Sequence, residues 1–139
     1  MDEKNREKVV SGIATQRIIG KREREILLVR KNDTWIFPGG KPENGESELE
    51  CLSREISEKL PRTRFKIKEH YCTAKGMNPH KNNRITVEGY FIHVSKVGKP
   101  SREIKQVRWF NRGEIKDRKY DISSVTSRII ESLIEHNYF

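Results

Sequence analysis

One amphipathic helix between two groups of strand-like segments constrains the fold of this chain most. From about position 46 to 60 the apolar residues are spaced by three, four and four positions: Leu49, Leu52, Ile56 and Leu60. This spacing places them on one helical face. Pro61 then ends the helix because proline lacks a backbone donor and clashes with the preceding turn. Such a helix must bury its apolar face against neighbouring strands.

Strand-like segments flank this helix on both sides. The predicted strands cover residues 8–19, 25–30, 35–37, 64–73, 84–94 and 104–110. Most are rich in β-branched or aromatic residues, and polar or glycine-containing turns separate them. Apolar positions from Val125 to Ile134 predict a second amphipathic helix near the C-terminus. This order of elements predicts an α+β fold or an α/β sandwich.

The charge of the chain is unevenly distributed. Its 139 residues correspond to about one domain, which we expect to span 1–139. Lys and Arg number 29 and Asp and Glu 20, a formal net charge of +9. Residues 40–60 hold six acids and three bases, a net −3, so the remainder carries +12. The surplus suggests a polyanionic partner, and a merely solvated basic surface is the alternative.

Several classes of protein are disfavoured by simple features of the sequence. No apolar run is long enough for a transmembrane helix, and the charged first residues lack the apolar stretch of a signal peptide. The two cysteines, Cys51 and Cys72, form neither a disulfide framework nor a zinc motif. We therefore expect a cytoplasmic protein without a membrane partner, with Cys51 in the core and Cys72 on a strand. The oligomeric state stays open.

The acidic segment carries the chemistry. Glu55 and Glu58 are three residues apart and share one helical face with Lys59, turned away from the apolar stripe. Clustered carboxylates suit Mg²⁺, which prefers about six oxygen ligands and keeps several waters. Arg54 can orient a carboxylate through a bidentate pair, and the glycine-lined loop at Gly40 can add a carbonyl. A solvated acidic helix face is the alternative.

The spacing of this segment resembles the Nudix box of the MutT/Nudix hydrolases. Gly40 is followed by five residues and Glu46, and seven more lead to Arg54-Glu55-Ile56-Ser57-Glu58. The preceding residues 35–41, Trp-Ile-Phe-Pro-Gly-Gly-Lys, are also typical of these enzymes. The resemblance implies an α/β/α sandwich of the Nudix fold. A mixed sheet would be flanked by the box helix and a C-terminal helix.

The resemblance also implies an activity. Nudix hydrolases cleave a diphosphate linked to another group, usually in nucleoside diphosphate derivatives. Here it implies a pyrophosphohydrolase dependent on Mg²⁺ (or Mn²⁺), with a MutT-like (deoxy)nucleoside triphosphate favoured. Glu55 and Glu58 would bind metal and Glu55 could act as a base. Gly40 would supply a carbonyl, Arg54 would orient the carboxylates, Glu46 would support the box from the loop side, and Gly39 would be a further supporting residue.

Other residues are candidates by position. Arg30 and Lys41 flank the box and could hold phosphates, with ordinary surface bases as the alternative. Glu103 could supply the further carboxylate that often reaches the site from a later loop in this family. Trp35 and Trp109 are expected in the core rather than against a base. His80 is expected to be a solvated loop residue rather than a substrate contact.

Lys59 departs from the family pattern. It stands where the box has its second consecutive glutamate, and an ammonium group cannot coordinate Mg²⁺. The site could bind fewer metals and stay active, Lys59 could replace part of a metal's charge, or the domain could be weakly active or inactive. The alternative functions are a Nudix-fold module that binds nucleotide or RNA without hydrolysis and an enzyme acting on RNA 5′ ends.

Overall fold

A computed structural model describes residues 6–139 of the chain. The secondary-structure elements in this range are β1 Glu7–Ile13, β2 Thr15–Arg17, β3 Arg24–Lys31, β4 Thr34–Ile36, β5 Gly39–Gly40, α1 Glu48–Lys59, β6 Arg64–Met77, β7 Arg84–Lys96, β8 Gln106–Asn111, α2 Arg112–Lys116 and α3 Ser124–Glu135. The predicted α+β class is confirmed. No helix in residues 6–139 is both long and apolar enough to cross a membrane.

The strands form two four-stranded sheets. The first has the order β5-β1-β7-β6, and in the second β3 pairs with β2, β4 and β8. Strands β1 and β7 are parallel and the other neighbours are antiparallel, so the strand arrangement is mixed, as predicted. The long hairpin β6–β7 extends to Met77, beyond the predicted end of its first strand.

The predicted strand 8–19 is split between the two sheets. The chain leaves the first sheet after Ile13 and enters the second at Thr15. Ala14 is buried between them, and its carbonyl accepts a hydrogen bond from the Leu27 amide (3.0 Å). Ile19 lies outside both strands and is almost fully exposed. Its β-branched side chain favoured a strand in the sequence, but no strand pairs with the chain there.

Helix α1 begins at a capping box. Ser47 accepts a hydrogen bond from the Glu50 amide, and the Glu50 side chain accepts one from the Ser47 amide. The predicted apolar face is buried from Leu52 onward, but Leu49 in the first turn is half exposed. Cys51 is fully buried instead, as expected for a core cysteine. Burial raises the pKa of its thiol to about 11, which makes it a poor nucleophile at neutral pH.

The two long helices cover opposite sides of the strands. Consecutive strand residues point to opposite faces, and in β3 Leu27 packs in the cluster containing α1 residues whereas Ile26 and Leu28 pack in the cluster containing α3 residues. Trp35 is buried in the cluster that contains α3 residues, with its ring edge-on to that of Phe110, so its predicted core position is confirmed. This layering confirms the predicted α/β/α sandwich.

Candidate functional site

A cleft of about 320 Å³ lies beside the C-terminal half of α1. Its wall includes the short strand β5, the end of β3, the loop joining β6 to β7 and the segment before β8. The charged residues that line it are Lys31, Lys41, Glu55, Glu58, Lys59, Lys81 and Glu103. The lining thus combines four lysines with three glutamates, groups that can bind anions and cations respectively.

Two glycines bring the backbone against the helix. Pro38 ends β4, and Gly39 and Gly40 then pair with Ser11 and Val10 of β1. A Cβ atom on Gly39 would overlap the Val10 carbonyl oxygen, and one on Gly40 would overlap the Glu55 carboxylate. Only glycine therefore allows this close approach. It places the Gly39 carbonyl within reach of Lys59, whereas the Gly40 carbonyl accepts a hydrogen bond from the buried Cys51 thiol (3.5 Å).

Arg54 connects the loop to the helix. Its guanidinium donates two hydrogen bonds to the Glu46 carboxylate (2.7 and 2.9 Å) and one to the Lys41 carbonyl (3.0 Å). Its Nη1 atom also donates to Glu55 Oε1 (2.9 Å) and Glu58 Oε2 (3.2 Å). Bidentate pairs of this kind fix orientation as well as charge. Arg54 thus holds three carboxylates of the predicted site in a fixed relation.

The pair between Glu46 and Arg54 predicts a pH-dependent stability. The Arg54 guanidinium and the Glu43 amide donate to Glu46 and lower its pKa from 4.5 to about 2. A lowered folded-state pKa contributes stability that is complete above about pH 4.5 and is lost as the pH falls toward 2. We therefore expect the Glu46→Gln variant to lose less stability than wild type over this range. Urea unfolding at several pH values measures the free energy of unfolding of both proteins.

The matched control for this prediction is Glu43→Gln. Glu43 also lies near Arg54, but its Oε1 atom is 3.5 Å from Arg54 Nε and its side chain is mostly exposed. Its variant should keep the wild-type dependence on pH between 4.5 and 2. Equal pH dependence in Glu46→Gln and wild type would contradict the assigned role of the Glu46–Arg54 pair.

Lys59 turns into the cleft rather than toward bulk solvent. Its Nζ atom donates to the Gly39 carbonyl (2.6 Å) and lies 3.2 Å from Glu55 Oε2. The side chains of Lys59 and Glu55 are each only 12% exposed. Glu55 therefore lies between two cations, with Arg54 at one oxygen and Lys59 at the other. The ammonium group occupies a position between a carboxylate and a backbone carbonyl.

The remaining predicted residues differ in their relation to the cleft. Glu58 and Glu103 are exposed and line it. Lys41 lines it too, but its ammonium pairs with Glu7 (2.5 Å). Arg30 lies in β3 and is not among the lining residues, whereas the neighbouring Lys31 is. All of these roles stay predictions.

Sequence reasoning missed two parts of the wall. Lys31 shares a strand face with Leu27 and Val29, so the alternation of β3 could have indicated it. The expectation of a solvated His80 is wrong. His80 is partly buried, and its Nε2 atom lies 3.0 Å from the Lys31 carbonyl oxygen. Asn78 Oδ1 accepts a hydrogen bond from the His80 amide (2.8 Å), and this local turn shapes the loop between β6 and β7.

The close packing of Gly40 on Glu55 gives a further prediction. In Gly40→Ala the added methyl group must displace the Glu55 carboxylate. A displacement of about 1 Å can cost about 100-fold in rate. We therefore expect a loss of that order in kcat/KM for the hydrolase activity that the resemblance implies. Gly113→Ala is the matched control, because a Cβ atom on Gly113 would approach only Asn111 Oδ1, at 3.4 Å. Wild-type activity in a folded Gly40→Ala variant would contradict the predicted role of Glu55.

The sequence as a whole agrees with this geometry. A model of the NUDIX domain matches residues 13–131. The chain belongs to the Nudix family. The resemblance drawn from the segment between Gly40 and Pro61 is therefore confirmed, and with it the Nudix fold. Among proteins with curated descriptions, none matches this Nudix chain significantly.

Solved structures place this Nudix domain among similar folds. A NUDIX hydrolase from Nitrosomonas europaea superposes with a TM-score of 0.76 at 18% identity, covering 94% of this chain and 90% of that one. The structure of an Ap4A hydrolase binary complex from C. elegans superposes with a TM-score of 0.72 at 20% identity, covering 94% of this chain and 97% of that one. The NUDIX domain of Shewanella oneidensis NrtR, complexed with ADP ribose, superposes with a TM-score of 0.71 at 17% identity, covering 95% of this chain and 88% of that one. At these identities the likeness concerns the fold.

Nudix hydrolases generally use divalent metals such as Mg²⁺, so the donor set matters. In residues 6–139, no three or more His, Cys, Asp or Glu side chains are grouped as a metal site. Both Glu55 oxygens already contact cations, from Arg54 and Lys59. Glu58 and Glu103 are the exposed carboxylates of the cleft. Both line the cleft, and carboxylates of this kind suit a hydrated Mg²⁺, which often binds through one or two carboxylates, water and substrate phosphates.

Proposed function

We propose that this protein is a Mg²⁺-dependent or Mn²⁺-dependent pyrophosphohydrolase of nucleoside diphosphate derivatives. The observation that carries the proposal is Glu55, fixed between Arg54 and Lys59 in the wall of a lysine-rich cleft. Family membership and a neighbour named as an Ap4A hydrolase support the reaction class. A MutT-like (deoxy)nucleoside triphosphate is the substrate we would test first.

The cleft is lined by both apolar and charged residues, a combination that suits a nucleotide. Ile36, Phe37 and Ile129 contribute apolar surface, whereas Lys31 and Lys81 contribute positive charge. Ligand pockets commonly combine an apolar lining with a few polar groups that fix orientation. We infer that the base or leaving group packs on the apolar wall and that the lysines bind the phosphates.

Glu58 and Glu103 would hold the cation, together with substrate oxygens. When bound, it would neutralise phosphate charge and acidify a nearby water. The protein residues then position the reaction. Arg54 fixes Glu55, and each Glu55 oxygen keeps a lone pair beyond the one that Arg54 or Lys59 occupies. Glu55 can therefore accept a proton from the water that attacks phosphorus, while Lys59 counters the charge of the phosphates.

A substrate screen tests this proposal. Purified protein is incubated with (deoxy)nucleoside triphosphates, nucleotide sugars, ADP-ribose and dinucleoside polyphosphates, with Mg²⁺, Mn²⁺ or a chelator. We expect turnover of at least one class, dependent on the divalent cation and absent from the Glu55→Gln variant. Products separated by chromatography identify the bond cleaved. No turnover of any class at high enzyme concentration would overturn the proposal.

A second function is favoured by Lys59 alone. If its ammonium excludes the cation, the domain would bind nucleotides without cleaving them. Calorimetric binding of a nucleotide that the screen shows to be uncleaved would support this alternative. Rapid cation-dependent turnover of every nucleotide that binds would exclude it.

A further inference from the structure

The hairpin β6–β7 carries a dense basic surface outside the cleft. Residues 62–68 and 93–99 contain six Lys and Arg and no Asp or Glu. The basic hairpin surface, as we name it, consists of Arg62, Arg64, Lys66, Lys68, Lys96 and Lys99. All six side chains are exposed. Because β6 is an edge strand of its sheet, a ligand could approach them from the side.

Pairing of the two strands brings like charges together. Arg64 pairs directly with Lys96. Like charges directly opposite each other destabilise an antiparallel pair. Within residues 6–139, none of the six side chains of the basic hairpin surface forms an ion pair with an acid. In contrast, Lys41 and Lys59 of the cleft both have glutamate partners. The repulsion on the hairpin is thus left uncompensated by the protein itself.

The spacing of these charges suits a polymer with repeating anions. Arg64, Lys66 and Lys68 alternate along β6, and alternate residues of a strand lie roughly 6.6 Å apart. The large apolar side chains that are exposed in residues 6–139 lie elsewhere: Ile19, Leu49, Met77 and Tyr138. The basic hairpin surface therefore lacks the apolar side chains with which amphipathic segments insert into lipid. It also lacks exposed Phe, Tyr or Trp rings on which bases could stack.

The segment that follows the hairpin connects it to the cleft. The Gly98 amide donates to Thr63 Oγ1 (2.9 Å), and the Ser101 amide donates to the Lys59 carbonyl (2.8 Å). The segment 98–103 therefore ties the hairpin to α1 and ends at Glu103, which lines the cleft. A chain of phosphates could contact the hairpin while its end reached the cleft. This continuity favours a nucleic acid over other polyanions.

We propose that the basic hairpin surface binds the phosphodiester backbone of a single-stranded nucleic acid, without base specificity. The choice of a nucleic acid rests in part on the proposed function, because the adjoining cleft is argued to take nucleotide phosphates. Binding itself requires no hydrolysis. Lysines and arginines that displace counterions from phosphates make such binding steeply dependent on salt.

The test compares two variants of equal charge. The surface variant is Lys66→Gln/Lys68→Gln/Lys96→Gln, and the control variant is Lys21→Gln/Lys116→Gln/Arg118→Gln, whose three residues are exposed outside the hairpin. The probes are fluorescent RNA and DNA strands of one unstructured sequence, titrated at several salt concentrations. Fluorescence anisotropy gives the affinity. Vesicles of neutral and anionic lipid serve as a further arm.

We expect wild type and the control variant to bind within about twofold of each other. The surface variant should bind at least about tenfold more weakly at about 0.1 M salt. The slope of its plot of log affinity against log salt concentration should be smaller in magnitude by about two units, as expected when three phosphate contacts are lost. RNA and DNA should bind alike if the backbone alone is recognised. Hydrolysis of a small nucleotide should be the same in all three proteins.

The outcomes separate this proposal from the proposed function. Equal binding by the surface and control variants, no binding of either strand by wild type, or binding of anionic vesicles alone would overturn it. Lack of nucleotide turnover with strand binding intact would overturn only the proposed function. A surface variant that loses strand binding but keeps nucleotide turnover would support both.

Discussion

The Lys59→Glu variant is expected to bind Mn²⁺ or Mg²⁺ at least about tenfold more tightly than wild type. The substitution removes an ammonium group that lies 3.2 Å from Glu55 Oε2 and 2.6 Å from the Gly39 carbonyl oxygen. It also adds a carboxylate beside Glu55. Two unit charges about 4 Å apart interact by about 4 kcal/mol at an effective dielectric constant of 20. Even a third of this corresponds to about tenfold in affinity.

Stability should change together with affinity in Lys59→Glu. Without a divalent cation the new glutamate faces Glu55 across the site that the ammonium group had occupied, and the hydrogen bond to Gly39 is lost. We therefore expect the variant to unfold at a lower temperature than wild type in a chelator. Because a ligand that binds only the folded state stabilises it, added Mg²⁺ should restore more of the Tm in the variant than in wild type.

Two controls make this result interpretable. Lys59→Gln removes the charge without adding a ligand and should fall between wild type and Lys59→Glu in affinity. Lys119→Glu makes the same charge change at an exposed position outside the cleft and should bind like wild type. Calorimetry and Mn²⁺ paramagnetic resonance give affinity and stoichiometry. Equal affinities in wild type and Lys59→Glu would show that the ammonium group does not occupy a cation position.

The placement of the candidate residues on α1 could be predicted because it depends on local spacing. Helical periodicity places Glu55, Glu58 and Lys59 on one face of α1, and it requires nothing beyond the sequence from 46 to 60. The contact of Arg54 with Glu46 also connects neighbours within one loop and helix. Similarly, the apolar pattern predicted the two helices and the core position of Trp35.

The part that was missed depends on distant contacts. The direction of Lys59 is set by a carbonyl twenty residues earlier, at Gly39. The loop with His80 reaches the cleft only because the long hairpin β6–β7 packs beside β1 and the His80 ring contacts the Lys31 carbonyl. The break at Ala14 follows from the pairing of separate strands into two sheets. Spacing within one element carries no information on such encounters.

The Glu55→Gln variant is expected to lose at least about 1000-fold in kcat/KM on the best substrate of the screen. Glu55 combines two roles in the proposed reaction, a fixed carboxylate beside the phosphates and a proton acceptor for water. Removal of a general base alone costs about 100-fold to 10,000-fold. The amide nitrogen of glutamine would in addition face a donor, either Arg54 or Lys59, where the carboxylate accepts hydrogen bonds from both.

The comparison with Glu58→Gln assigns this loss to chemistry rather than to charge. Glu58 carries the same charge on the same helix face, but its side chain is 59% exposed and contacts only one cation, Arg54, within residues 6–139. We expect its variant to weaken cation affinity and to lose less kcat at saturating Mg²⁺. Glu131→Gln, an exposed acid on α3, should behave as wild type. If Glu55→Gln and Glu58→Gln lost activity equally and recovered equally at high Mg²⁺, Glu55 would be a cation ligand with no role in proton transfer.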